Sequence, residues 1–285
     1  MVKVKKLPGC KDFDIIKTCT PVIGRPFMKA YFVRIDNVFI DSGNSNCSKS
    51  ALRNYLTGLP KRDSWIVLNT HLHEDHCGNN GLIQRTLGAK VLVPDEPDIT
   101  GDLSLFYRVF WGKPYKFDCS IIKDDIIITD AGRRIKVISS PGHTEAHKCY
   151  LLEDWNILVT GDAIPFPVRK AHCITGENYI ITIENLKNLK KYIDDSAVFL
   201  TSHQGILPDP SMTIQKRIDN MEDVVTVVLK AWNDNFYDMA KTVESAFGRP
   251  GLLDRMLAPR LSHENTVRSI VSNYDNPSTS PERKK

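Results

Sequence analysis

Seven consecutive residues, Thr70-His71-Leu72-His73-Glu74-Asp75-His76, hold three of the chain's eight histidines and two carboxylates. They follow directly on the apolar run Trp65-Ile66-Val67-Leu68. Imidazole and carboxylate are the donors that divalent cations take. A strand running into such a cluster sets it at the carboxyl edge of a sheet, where metals and substrates sit. His71 and His73 are two apart, so on an extended backbone their rings leave the same face and can share one cation. Asp75 and His76 follow where the chain turns toward a helix, so they point elsewhere and suit a second cation. Taken alone, the stretch also admits a bland reading, a polar turn of solvated histidines.

Three later motifs repeat the arrangement. Ser140-Pro141-Gly142-His143-Thr144, Val159-Thr160-Gly161-Asp162 and Leu200-Thr201-Ser202-His203-Gln204-Gly205 each place one ligand type just after a short apolar run. Together with H-x-H-x-D-H at 71–76, the series resembles the metallo-β-lactamase superfamily, with all seven ligand positions matched in order. The resemblance extends over residues 20 to 208. It implies an α/β fold, a four-layer αββα sandwich of two mixed β-sheets flanked by helices. It also implies that His71, His73 and His143 hold one metal, that Asp75, His76 and His203 hold the other, and that Asp162 bridges them. Two divalent ions are therefore expected. Nitrogen and oxygen donors without a thiolate suit zinc, and iron or manganese fit the same set.

The chemistry implied is hydrolysis. A water shared by two cations loses a proton near neutral pH. Two dications, two aspartates and one bridging hydroxide leave about +1 by formal charge, which attracts anions and stabilises a developing oxyanion. In this scheme Asp162 shuttles the proton and Asp75 orients the hydroxide. Asp41-Ser42-Gly43 is similar to the family's D-T-G turn, which makes Asp41 an acceptor behind the metal histidines; a plain turn aspartate is the alternative. Tyr179 stands where some family lactonases carry a substrate-facing tyrosine, or it simply starts a helix. His172, in a polar loop, reads as a solvated loop histidine, with contact to substrate as the alternative, and His147 reads as structural.

These ligands need strands and loops to present them. Tyr31–Val33 and Val38–Ile40 flank Asp36-Asn37 as a hairpin. A helix over 48–59 stops at Gly58 and Pro60. The strand at 65–69, a helix over 79–87 closed by Gly88 and a strand at 90–93 form a right-handed βαβ crossover. Two further hairpins, 126–128 with 135–138 and 149–152 with 157–159, make a second sheet whose outgoing ends deliver His143 and Asp162. A helix over 178–193 precedes the last strand, 198–200, and His203 on its exit loop. Residues 1–20 give no element, only a turn at Pro8-Gly9. In 95–118 the aromatics Phe106, Tyr107, Phe110, Trp111, Tyr115 and Phe117 crowd together. Phe106, Phe110 and Trp111 have helical spacing, so core packing and a hydrophobic wall over the metal mouth, contributed by Phe106 and Trp111, stand as equal readings.

After Pro210 the composition turns to helix formers, at 211–233, 236–247 and 262–274. The domain organisation expected is a catalytic domain over 1–208, a helical appendage over 209–275 and a disordered tail over 276–285. With 285 residues and a net charge of +4, the chain is an ordinary soluble globular protein by composition, and the charge does not by itself point to nucleic acid. Seven scattered cysteines without a C-x-x-C pair argue for a reducing compartment. Cys77 beside the metal motif reads as a small buried hydrophobe. No apolar run approaches a membrane span and no signal-peptide core follows the basic start, so a cytoplasmic location is expected.

Spacing then separates relatives. The gaps His76–His143, His143–Asp162 and Asp162–His203 are 67, 19 and 41 residues. They exclude the inserted domain of the β-CASP nucleases and the arm of the tRNA 3′-processing enzymes. The favoured function is hydrolysis of an ester, thioester or lactone in a small anionic or acyl substrate, as in glyoxalase II or the acyl-homoserine lactonases. The alternative is a phosphodiesterase or single-strand ribonuclease, with Arg133, Arg134, Arg169, Lys170, Lys187, Lys190 and Lys191 tracking phosphates. An iron-dependent persulfide dioxygenase ranks third. A homodimer is admitted by the sequence, and no membrane partner is expected.

Overall fold

The computed structural model describes residues 1–22, 25–95, 108–109, 111–166, 171–194 and 196–274. Phe106, Tyr107 and Phe110, the 276–285 tail, Arg169 and Lys170 lie outside these residues. The chain divides into two compact units. The first comprises Met1–Ser140, Ala146–Asp162 and Asp194–Pro208; the second comprises Pro141–Glu145, Ala163–Ile193 and Asp209–Lys285.

The first unit contains two sheets. One runs in sequence order through β1 (Val2–Lys6), β2 (Phe13–Val22), β3 (Arg25–Ile35), β4 (Val38–Ile40), β5 (Ile66–Leu68), β6 (Lys90–Val93) and β7 (Cys119–Ile121). Pairing is antiparallel from β1 to β4 and parallel from β4 to β7. Alternation along β2 and β3 decides which side chain meets which layer. Phe13, Ile15, Val33 and Ile35 face the second sheet, whereas Ile16 and Phe32 join the layer shared with α1 (Lys49–Thr57) and α3 (Asn80–Leu87). Between those helices lies the one-turn helix α2 (Glu74–Cys77). Ser48 caps α1 by accepting from Ala51 N, and Gly88, at φ +69°, closes α3.

The second sheet has the order β14-β13-β11-β10-β9-β8, with β8 (Ile126–Ile128), β9 (Arg134–Ser139), β10 (Lys148–Leu152), β11 (Ile157–Gly161), β13 (Val198–Thr201) and β14 (Gly205–Ile206). Ile127, Ile135, Tyr150, Leu152, Ile157, Val159 and Leu200 cover the apolar face of the first sheet. Two large mixed sheets with flanking helices are the α/β architecture expected.

Residues 1–20 correct the sequence reading, since β1 and β2 occupy most of them. The missed signal is alternation diluted by charge. Val2-Lys3-Val4-Lys5-Lys6 is an exposed edge strand, and lysines on an edge discourage pairing with other chains.

In the second unit β12 (Cys173–Ile174) pairs with β15 (Leu261–Ser262). Its helices are α4 (Tyr179–Leu189), α5 (Pro210–Asp234), α6 (Met239–Phe247), α7 (Leu252–Leu257) and α8 (His263–Tyr274). Asp209 caps α5 through Met212 N at 2.9 Å, with Pro210 at its first position. Ile214, Ile218, Met221, Val225 and Val228 form its buried stripe at helical spacing. Neither α7 nor the two-residue ribbon was expected, because elements this short carry no periodicity to read. Among the described residues no helix is long and apolar enough to cross a membrane.

Candidate metal centre

Strand β5 ends at Leu68, and the backbone that follows is held from behind by Asp41. That residue sits just after β4 at φ +62°, a left-handed conformation that aspartate tolerates. Its Oδ1 accepts from Thr70 N (2.8 Å), and its Oδ2 accepts from Thr70 Oγ1 (2.9 Å). The same Oδ2 lies 2.9 Å from His76 Nδ1. A carboxylate only accepts, so His76 Nδ1 carries a hydrogen and Nε2 is the atom left for a ligand. Asp41 therefore acts as the acceptor behind the motif that the sequence suggested.

The next residues clamp the far end of the motif. Ser42 N and Ser42 Oγ both donate to His76 O, at 2.7 and 3.0 Å. Asn79 Nδ2 donates to Ser42 O and Asn44 O, each at 2.9 Å. The two segments approach so closely that a Cβ on Gly78 would lie 2.5 Å from Gly43 O and 2.6 Å from Glu74 O. Only glycine fits there. Gly161 plays a matching part before Asp162: at φ +52°, a Cβ would meet Thr70 Oγ1 at 2.7 Å and His147 Nε2 at 2.8 Å. Asp162 N donates to His147 Nε2 at 3.2 Å, which gives His147 the structural role expected of it.

Within the first unit the fold brings six of the predicted ligands together. His71 Nε2 and His73 Nδ1 are 2.9 Å apart, and the His71 and His76 rings are 3.9 Å between centroids. His76 Nε2 lies 3.5 Å from Asp162 Oδ1 and 3.8 Å from Asp75 Oδ2. His203 Nε2 lies 3.2 Å from Asp162 Oδ2 and 3.5 Å from Asp75 Oδ2. Two groups emerge, His71 with His76 and Asp162, and Asp75 with His76 and His203; in each, one donor atom per residue lies within 4.8 Å of the others. His203 Nδ1 donates to the Lys29 carbonyl at 3.0 Å, which turns its Nε2 inward. That carbonyl and Thr70 were not foreseen, since a backbone acceptor leaves no mark on composition.

The residues fit divalent cations. His76 Nε2 is buried and makes no well-formed hydrogen bond among the described residues, although carboxylates of Asp162 and Asp75 stand at 3.5 and 3.8 Å, at and beyond the limit of bonding distance. An orphaned buried nitrogen aimed at carboxylates is the mark of a ligand position. The electrostatics agree. Burial works against charge on His76, yet Asp162, Asp75 and Asp41 push its pKa well above the ordinary value. Burial likewise opposes charge on His203, but Asp162 and then Asp75 raise it to about 9. Burial would raise Asp162, and His203 with His76 hold it well below the carboxylate range instead. A pocket that draws positive charge this strongly suits a cation in place of those protons.

His143 belongs to the second unit, buried, with Nδ1 3.4 Å from Glu177 Oε1. Glu177, 34 residues on, gave no sequence signal. Tyr179 is the first residue of α4, the second of the two readings given for it, and is fully buried, its N–H donating to Ser269 Oγ at 2.7 Å. His172 is not a solvated loop histidine, because its Nε2 is 2.6 Å from Asp254 Oδ1. Trp111 lies with its ring centroid 5.9 Å from that of His203. Cys77 is buried, with Sγ donating to Leu72 O at 3.6 Å.

Comparison with known proteins adds the following. The profile of the metallo-beta-lactamase superfamily matches residues 30–190, more than half of the 285. An atrochrysone carboxyl ACP thioesterase from Aspergillus fumigatus is 23% identical over 244 residues, 79% of this chain and 69% of that protein. A lactamase-like protein from Trichophyton verrucosum is 30% identical over 45% of this chain and 42% of its own length. A hydroxyacylglutathione hydrolase from Shewanella pealeana is 35% identical over 34% of this chain and 32% of its own. The chain thus spans less than half of the latter two. Among solved structures, a metallo-beta-lactamase family protein from Thermus thermophilus superposes with a TM-score of 0.65 at 17% identity, covering 93% of both chains. A metallo-beta-lactamase from Pontibacter korlensis gives 0.59 at 15% identity, over 78% of this chain and 100% of that one. At these identities the structures bear on the fold alone.

Proposed function

The chain belongs to the metallo-β-lactamase superfamily, and we propose that within it the protein is a zinc-dependent hydrolase of a small acyl substrate, with a thioester as the favoured bond. The observation that carries this reading is the orphaned, buried His76 Nε2 facing Asp75, Asp162 and His203. We assign His71, His73 and Asp162 to one cation and Asp75, His76 and His203 to a second, with Asp162 shared; His143 is assigned to the first on its sequence motif alone. Cations bound there supply Lewis-acid polarisation of a carbonyl and acidification of water.

The chain's own residues do the rest. Asp41 and the Lys29 carbonyl fix the ring orientations of His76 and His203. Asp75 and Asp162 set carboxylate oxygens between those rings, where they can orient a water and take its proton. Trp111 offers an apolar wall beside His203 for an acyl chain, and Phe106 is a second candidate from the sequence. The thioesterase and the hydroxyacylglutathione hydrolase among the relatives point to the same bond type.

Three of the seven basic residues named for the ribonuclease alternative are already engaged by acids. Arg133 contacts Asp36 and Asp154, Arg134 pairs with Glu153, and Lys187 pairs with Glu222. Each of these three faces an acid, which weakens what they offer a phosphate backbone, and this counts toward the acyl-hydrolase reading. The reading is tested by loading the metal-free chain with zinc, manganese or iron and assaying thioesters, esters, lactones and single-stranded RNA. Turnover of a thioester by the zinc form is expected; cleavage of RNA alone would replace the reading with the nuclease one.

A further inference from the structure

We propose that His172, Asp254 and His263 form an additional divalent-cation site, held entirely within the second unit and sharing no residue with the centre described above. The three come from separate elements that the short ribbon brings into register. Cys173 pairs with Ser262 across β12 and β15, so His172 and His263 flank that pair on the two chains. Their rings stack at 3.9 Å between centroids and 28° between planes. Phe247 covers the outer face of His263 at 4.5 Å and 11°, which fixes its orientation. Asp254, on α7, completes the group. One donor atom from each residue lies within 4.8 Å of the others.

Two features mark this as a ligand set rather than a hydrogen-bonded turn. His263 Nδ1 is buried without a hydrogen-bond partner among the described residues, although neutral imidazole nitrogens in such places ordinarily find one. Asp254 is itself held from behind, with Oδ2 accepting from Gly251 N at 2.7 Å, so that Oδ1 is presented to His172 Nε2 at 2.6 Å. This is the arrangement of a carboxylate and imidazole that a cation can enter. Donors at about 2.0–2.1 Å on a tetrahedral cation stand roughly 3.3 Å apart. Entry therefore requires His172 and Asp254 to part by about 0.7 Å, with the proton between them released to solvent. It also requires the His172 ring to turn out of its stacked alignment with His263, so that the in-plane lone pairs of both rings meet the ion.

Two imidazoles and one carboxylate suit zinc, copper or nickel rather than calcium or magnesium. Three protein donors leave one position to water, so the ion is exchangeable. Its consequence is mechanical, a clamp joining residue 172 to α7 and to the first turn of α8.

The test uses the full chain and zinc ion alone as the probe, with histidine acylation read residue by residue by mass spectrometry. At zinc tenfold above the dissociation constant, modification of His172 and His263 is expected to slow about tenfold. Asp254→Asn keeps the side chain's size and its acceptor for Gly251, and it is expected to need at least about ten times more zinc for the same protection. Equal modification with and without zinc in the unaltered chain overturns the proposal. So does an Asp254→Asn variant whose zinc response is undiminished. Because the readout is specific to residues 172 and 263, zinc taken up by the first unit does not confound it.

Discussion

Replacing Asp41 by asparagine isolates the part of the centre that touches no cation. The substitution keeps size and shape, and asparagine accepts φ +62° as readily as aspartate, so backbone strain does not enter. Oδ1 can still receive Thr70 N, and the Thr70 hydroxyl can turn to accept from the new amide. Only His76 Nδ1–H then faces a donor where it had a charged acceptor at 2.9 Å. His76 must lose that bond or move its hydrogen to Nε2, which removes the lone pair a cation needs. A hydrogen bond to a charged group contributes about 1.5–3 kcal/mol. Loss of the carboxylate behind a ligating histidine weakens metal binding by roughly 10–100-fold, or about 1.4–2.7 kcal/mol. The assay is metal content per chain after dialysis against a series of buffered zinc concentrations, with thermal unfolding in parallel. The binding curve should shift by one to two decades and recover at high zinc. A variant that binds zinc as tightly as the unaltered chain would refute the claim that Asp41 sets the His76 tautomer.

Four further outcomes are expected. His76→Ala and His203→Ala should each lower metal content and turnover further than Asp41→Asn, whereas Tyr179→Phe should leave catalytic constants unchanged, as steady-state kinetics will show. Gly78→Ala should cost at least about 1–3 kcal/mol in urea unfolding, because its Cβ meets backbone rather than a movable side chain. Asp14→Ala should cost about 3–5 kcal/mol, since it strands the buried Arg34 guanidinium now 2.8 Å from Asp14 Oδ2; chemical denaturation measures this. Substrate KM should respond weakly to salt between about 50 and 200 mM, where a protein making several phosphate contacts loses roughly a thousandfold in affinity.

The candidate ligands were legible because each comes shortly after an apolar strand, and a strand end fixes the direction in which the chain presents its next side chains. In the structure His71 and His73 follow β5, Asp75 and His76 fall in the one-turn α2 just after them, and Asp162 and His203 follow β11 and β13. What holds them was half visible. Asp41 could be inferred from its turn, but Lys29 acts through its carbonyl and Glu177 stands far from His143 in sequence, so neither left a pattern. The helices of the second unit carried strong periodicity, whereas β12, β15 and α7 owe their form to packing. His172 shows the consequence. Its partners, Asp254 and His263, are brought to it by those unreadable elements, so the sequence left it a solvated loop residue.

The most direct test of the account is thioester turnover by the metal-free chain as zinc is added back. Turnover should be absent at the start, appear with zinc, saturate, and fail to appear at any zinc concentration in His76→Ala. Full turnover without metal, or undiminished zinc-dependent turnover in His76→Ala, would contradict it.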